Sequence, residues 1–261
     1  MRPVRAGAPL EIYFKPLLSV PSWSNASRAQ LQHAGLDREA GRLPDGRTYN
    51  TCPEAGICAR LCYAYAPGSS YKRFPGVAAA HLRNLMMVLD TPREWEQQMK
   101  QELRHRRYAG AWVRIHDSGD FFSDDYTAAW LRIARSAPAT RFYCYTKTIS
   151  RFHRIVVPDK PDNFLWCPSL GGREDHLVDR TQRHADVFPT VEALEAAGYS
   201  DQSESDLLAV LGDPLVGIPA NKMPALRKRQ GTHSFGALQQ ARTDQLNAKR
   251  ARAAQRATAA A

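Results

Sequence analysis

Apolar and aromatic residues gather in three short runs: Ala111 to His116, Arg141 to Lys147 and Asn163 to Cys167. Each has the β-branched and aromatic content of a strand. Fainter runs of the same kind lie at Glu11 to Tyr13, near Ala185 (ADVF) and near Leu215 (LVGIPA). Between them the pattern turns helical. Val77 to Asp90 predicts one helix, and Thr91-Pro92-Arg93-Glu94 reads as a capping box, with Pro at the first helical position, opening another to about Tyr108. Trp95 and Met99 on that helix are expected to pack in the core. Ser123 caps a third helix through Trp130 to about Ser136. Shorter helical pieces are expected after Ser24 or Asn25, at Ser150 to Arg154, at Val191 to Ala197 and at Ser205 to Leu211. Strands alternating with helices predict an α/β fold of βαβ units around a parallel sheet. Residues 1–230 read as one β/α domain, irregular over 1–45, and residues 231–261 as a basic, Ala-rich tail.

Parallel sheets collect their chemistry at the loops that follow the strands, whether the sheet is open or a closed or partial barrel. That rule puts Asp117-Ser118-Gly119-Asp120, Lys147, the PSLGG loop and Ala220-Asn221-Lys222 on one rim. Gly119 lets the first of these loops turn sharply. Asp117 and Asp120 offer carboxylates for an ammonium, a ribose hydroxyl or a hard metal, or they simply cap the loop. His116 beside them is a candidate base or ligand, or a strand-end residue.

The other chemical stretch is Thr51 to Ala64, TCPEAGICARLCYA, in which Cys52, Cys58 and Cys62 are separated by gaps of five and three residues. An odd trio cannot pair off as disulfides, and thiolates converge on soft cations and iron–sulfur clusters. Pro53 and Gly56 allow a tight loop. Ala59 to Ala64 reads as the first helical turn, which would set Cys58 and Cys62 on one face. The spacing matches no common zinc pattern. Three buried small side chains, or a structural zinc completed by a distant His, are the plainer readings. Cys144 shares a strand face with Phe142 and Thr146 and reads as a buried free thiol, whereas Cys167 lies nearer the rim as a candidate fourth ligand. The tyrosines near the trio, Tyr63, Tyr65 and Tyr71, are placed to stack on an adenine or a nucleobase, or to pack.

Composition narrows the class. A mean hydropathy of −0.48, with no apolar run of bilayer length, excludes a membrane protein of helical type. Five cysteines and an N-terminus without an apolar signal region point to a reducing cytoplasm. The formal net charge of +10 favours an acidic partner, nucleic acid first. Much of that excess lies in the tail, which reads equally as a nucleic-acid tether or as a frayed helix kept soluble by its charge.

Three thiolates would hold three irons of a [4Fe-4S] cluster and leave the fourth open to a substrate or cofactor. A small-residue loop with a carboxylate nearby would then hold the amino-acid end of S-adenosylmethionine. TCPEAGICARLCYA followed by RIHDSGDFFSDDYTAAWLRIARSAPATRFYCYTK resembles the bacteriophage gene product 88 family. The order of three-Cys loop, helix, strand and small-small-acidic motif also resembles the radical S-adenosylmethionine superfamily. That likeness implies a partial (β/α)6-type barrel, with Cys52, Cys58 and Cys62 as cluster ligands. It also implies that Ser118, Gly119 and Asp120 stand where that superfamily has Gly-Gly-Glu. The cysteine gaps differ from the superfamily's usual three and two, and Leu61 stands where an aromatic residue usually precedes the last cysteine.

The sequence thus predicts an iron–sulfur enzyme of radical S-adenosylmethionine type acting on a nucleic acid or nucleotide, with His116 and Asp117 as catalytic candidates and Tyr63 against the cofactor. Its rival is a nucleic-acid-binding protein with structural zinc. A metal-dependent hydrolase using His116, Asp117 and Asp120 has too few histidines at ligand spacing.

Overall fold

The computed structural model describes residues 11–13, 41–43, 45–62, 75–116, 118–220 and 224–259. The expected helix after Ser24, together with Tyr63, Tyr65, Tyr71, Asp117, Asn221 and Lys222, lies outside the described residues.

The protein is mixed α/β, with parallel strands in small sheets. β1 (Glu11–Tyr13) is followed by a two-stranded antiparallel pair, β2 (Gly41–Arg42) and β3 (Thr48–Tyr49). Three helices come next: α1 (Gly56–Leu61), α2 (Pro75–Asp90) and α3 (Pro92–Glu102). Then β4 (Trp112–Ile115), α4 (Asp124–Ser136), β5 (Arg141–Thr146) and β6 (Phe164–Pro168) alternate strand with helix or helical turn. β1, β4, β5 and β6 form one parallel sheet in that order. The second parallel sheet has the order β7 (His184–Phe188), β9 (Leu215–Pro219), β8 (Ser200–Asp201). Between its strands lie α5 (Val191–Ala196) and α6 (Leu208–Leu211). Just past β6, Ser169 bridges Ala185 of β7, and the Leu170 N–H donates to the Ala185 carbonyl at 2.8 Å. Two further helices, α7 (Pro224–Gln230) and α8 (Phe235–Ala259), end the described chain. No helix among the described residues is long and apolar enough to cross a membrane.

Both faces of the four-stranded sheet are buried, as parallel sheets require. On one face Phe142, Cys144 and Phe164 pack against Trp95 and Met99 of α3 and Trp130 and Ile133 of α4. The two indoles meet edge to face at 5.6 Å, a preferred aromatic geometry. On the other face Trp112, Tyr143, Tyr145 and Cys167 pack against Ala185, Val216 and Ile218 of the second sheet. The period of two along β5 therefore sorts Cys144 to the helix side and its tyrosine neighbours to the other, as the sequence predicts.

The termini of α3 and α1 depart from expectation, whereas the start of α4 does not. Ser123 caps α4 by accepting from the Tyr126 N–H at 3.2 Å. Thr91 does not cap α3: it follows directly on α2, and its hydroxyl donates back to the Met87 carbonyl of that helix. Pro92 alone fixes the entry into α3, which ends at Glu102, short of a separate 3-10 turn at Arg106–Tyr108. α1 also starts earlier than expected and stops at Leu61. Cys62 leaves it in an extended conformation with ψ 124°, so Cys58 and Cys62 are not on one helical face.

Candidate functional site

The cysteine loop lies across the C-terminal ends of β4, β5 and β6, held there by hydrogen bonds that run from strand to strand. The Asp120 N–H donates to the Thr51 carbonyl at 2.8 Å, tying the loop after β4 to the residue before Cys52. The Asp120 carboxylate accepts from its neighbour's Phe121 N–H (2.8 Å), from the Thr146 hydroxyl (2.7 Å) and from the Lys147 N–H (2.8 Å) at the end of β5. The Lys147 ammonium in turn donates to Ser169 Oγ, to the Ser169 carbonyl and to the Leu170 carbonyl (2.8, 3.0 and 2.6 Å) beyond β6. From there the Gly171 carbonyl accepts the Cys58 N–H at 3.0 Å, and the Glu54 carbonyl accepts the Arg173 N–H at 2.8 Å. The circuit closes on the cysteine loop where it began.

Two glycines make this approach possible. Gly119 sits at φ +92°, a conformation that disfavours any residue with a Cβ, and turns the loop so that Asp120 points back under the rim. Gly171 sits at φ +96°, and a Cβ there would lie 2.9 Å from the Cβ of Phe235. The buried Asp175 carboxylate holds the Gly171 and Gly172 N–H groups, each at 2.8 Å.

The three cysteines are half-buried and form no disulfide. Burial pushes the Cys52 thiol well above its ordinary value, and negative charge at Asp120, Cys62 and Cys58 adds to that push. Burial also raises Cys58, while Lys147 beside it works in the opposite direction. Neutral thiols in this setting become ligands only when a cation replaces their protons. No three His, Cys, Asp or Glu side chains among the described residues are arranged to hold a metal ion. Thiolates around one tetrahedral zinc, with sulfur at ~2.3 Å from the metal, stand under about 4 Å apart.

The other sequence candidates fall as follows. Ser118 and Asp120 are buried on the rim and Gly119 is half-buried between them. His116 is on the far side. Its backbone has φ +64°, which swings the ring off the rim into the layer beneath α4. There it lies edge-on to Phe121 at 4.6 Å and stacked on Tyr126 at 5.7 Å, with Nε2 sharing a 2.8 Å hydrogen bond with the Tyr126 hydroxyl. Burial, with the Arg114 charge adding to it, lowers its pKa to about 3, so the imidazole is neutral at physiological pH. Cys144 lies in the core on the helix side. Cys167 faces the second sheet; its thiol contacts the Pro168 carbonyl at 3.5 Å and burial raises it to about 12.

Three residues that shape the site carried little sequence signal. Asp175 and Gln239 sit in polar stretches of the kind found in any turn or on any helix surface. Asp186 had a better one, being a carboxylate in the middle of the apolar run ADVF. It accepts the Gly236 N–H at 2.9 Å and so caps α8. Gln239 of α8 then accepts the buried Ile57 N–H at 2.7 Å, and Arg242 donates to the Gly56 carbonyl at 3.3 Å. The start of the basic tail is thereby fixed to α1.

The model of the gene product 88 family matches residues 16–257, nearly the whole chain. The chain belongs to that family. It is similar to the Gene 88 protein of Mycobacterium phage L5, 34% identical over 113 residues, covering 40% of this chain and 46% of that protein. The Gene 88 protein of Mycobacterium phage D29 is 32% identical over 113 residues, covering 40% of this chain and 45% of that protein. The aligned region spans less than half of these curated relatives. No solved structure matches the chain.

Proposed function

We propose that this gene product 88 protein is an iron–sulfur enzyme of radical S-adenosylmethionine type. One observation carries the reading: the loop Ser118 to Asp120 is hydrogen-bonded to the cysteine loop, through Asp120 N–H to Thr51 carbonyl, at the C-terminal end of a parallel sheet. Radical enzymes of this type need a three-thiol loop and a small-residue loop side by side at that end. The reading of a partial (β/α)6 barrel is supported by the parallel pairing of β1, β4, β5 and β6 in one sheet and of β7 and β9 in the other, with the isolated Ser169–Ala185 bridge between the two sheets.

On this reading Cys52, Cys58 and Cys62 hold the cluster, and a cluster fits their number and softness better than a single ion does. Bound cluster and S-adenosylmethionine supply one-electron chemistry that no protein side chain offers. The chain's own residues do the positioning. Asp120 accepts from Phe121, Thr146 and Lys147 and shapes the loop, and on this reading the Ser118–Gly119 edge beside it meets the amino-acid end of the cofactor. Lys147 fixes the end of β6 and places positive charge beside Cys58, favouring its thiolate. His116, neutral and buried, supports the loop from behind, which makes it a positioning residue in this proposal.

Anaerobic reconstitution tests the reading. About four irons and four sulfides per chain, lost on Cys58→Ala, support it; stoichiometric zinc and no colour would instead favour a structural site in a nucleic-acid-binding protein. With reductant and S-adenosylmethionine the loaded protein should release 5′-deoxyadenosine. A cluster-bearing protein that releases none is not such an enzyme.

A further inference from the structure

Positive charge is distributed unevenly over this molecule. In the body, arginines meet local carboxylates: Arg47 meets Asp45 and Asp90, Arg132 meets Glu96, and Arg151 and Arg154 meet Asp124. Along α7 and α8 there are eight Arg and Lys against Asp244 alone, which is seven of the ten net positive charges. The seven exposed cations among them make no ion pair among the described residues.

Their arrangement is directional. Arg242, Lys249, Arg252 and Arg256 fall at i, i+7, i+10 and i+14, one face of the helix, over about 21 Å at 1.5 Å per residue. Residues 244–258 are exposed on every side. The stripe begins at the cysteine helix, where Arg242 reaches the Gly56 carbonyl and Arg229 of α7 donates to the Arg60 carbonyl.

The chemistry of this exposed helix selects its occupant. Leu246 is the one large apolar residue over 244–259, so no apolar face exists to enter a bilayer. No aromatic side chain lies over 244–259 to stack the bases of a single strand. Alanines between the cations keep the helix slim, which suits the ~12 Å major groove of B-form DNA and not the deep, narrow groove of an RNA duplex.

We propose that α8, with the exposed end of α7, is an arm that binds duplex DNA through its phosphates and holds it against the cysteine rim. The meaning of that placement rests on the enzymatic reading above, whereas the binding rests on this surface alone.

The test is fluorescence anisotropy of a short labelled duplex across a salt series from about 50 to about 200 mM. The variant Lys249→Gln, Arg250→Gln, Arg252→Gln, Arg256→Gln keeps good helix formers at exposed positions, and far-UV circular dichroism checks the fold. It should bind at least about tenfold more weakly, with a salt slope shallower by about three to four. Arg104→Gln with Arg106→Gln, exposed at the opposite end of the strands, should bind as the wild type does. Cys58→Ala should lose iron and keep DNA binding, which separates failure of the cluster from failure of the arm. Equal binding by the fourfold variant, no duplex binding at the lowest salt, or preference for single-stranded RNA or phosphatidylserine vesicles would overturn the proposal.

Discussion

His116 should make this protein acid-labile, by an amount that its surroundings set. Its ring is 4% exposed and packed among Phe121, Tyr126 and Trp130. Nδ1 is buried without a hydrogen-bond partner among the described residues, and Arg114 adds positive charge nearby. A proton on this ring is opposed by both, which is why its pKa falls from 6.5 to about 3. In the unfolded chain the same imidazole takes a proton below 6.5. The unfolded state therefore binds more protons between those two values, and stability is lost as pH falls from 6.5 towards 3. Between about pH 7.5 and about pH 5 the loss attributable to this group is about 2 kcal/mol. His116→Gln has similar size, can still bond to Tyr126 and does not titrate. Urea unfolding of both proteins at both pH values gives four free energies, and carboxylate titrations cancel in the double difference. The wild type should lose about 2 kcal/mol more than the variant on acidification. Equal losses would mean that the ring accepts a proton in place, and the burial argument would fail.

Two further substitutions probe the rim. Asp120→Asn puts an amide donor where one carboxylate oxygen now accepts the Lys147 N–H, and leaving such a buried donor unmatched should cost about 1–3 kcal/mol. Thermal unfolding should show it, and on the proposed iron–sulfur reading reconstituted iron should fall with it, because the Thr51 tie depends on the same loop. Gln239→Leu removes the acceptor of the buried Ile57 N–H and should cost about 1–3 kcal/mol, with faster amide exchange at Ile57 and Cys58 as the local signature. Unchanged exchange there would mean that α8 does not anchor the cysteine helix.

The elements were largely legible because short-range chemistry writes them. The runs at Arg141 to Lys147 and Asn163 to Cys167 became β5 and β6 with no end off by more than one residue, and the faint runs at ADVF and LVGIPA became β7 and β9. Glu11 to Tyr13 pairs with β4 as expected of a strand. The rule that loops after parallel strands gather on one side placed Asp120, Lys147 and the PSLGG loop together. Details that depend on one backbone angle were not legible. The positive φ of His116 carries its ring from rim to core, and the extended ψ of Cys62 ends α1 a turn early. Neither residue type announces such a conformation.

By itself the sequence determined which segments are strands, which cysteines are neighbours along the chain and where the charge excess lies, since these follow from residue type and local spacing. Only the tertiary structure decided that the cysteine loop rests on Asp120 and Gly171, and that the tail begins as a buried helix capped by Asp186. Those contacts join residues from 50 positions apart, as Asp186 and Gly236 are, to 182, as Gln239 and Ile57 are, and no local preference encodes such a meeting. It exists because the packed sheet brings the ends of its strands to one place.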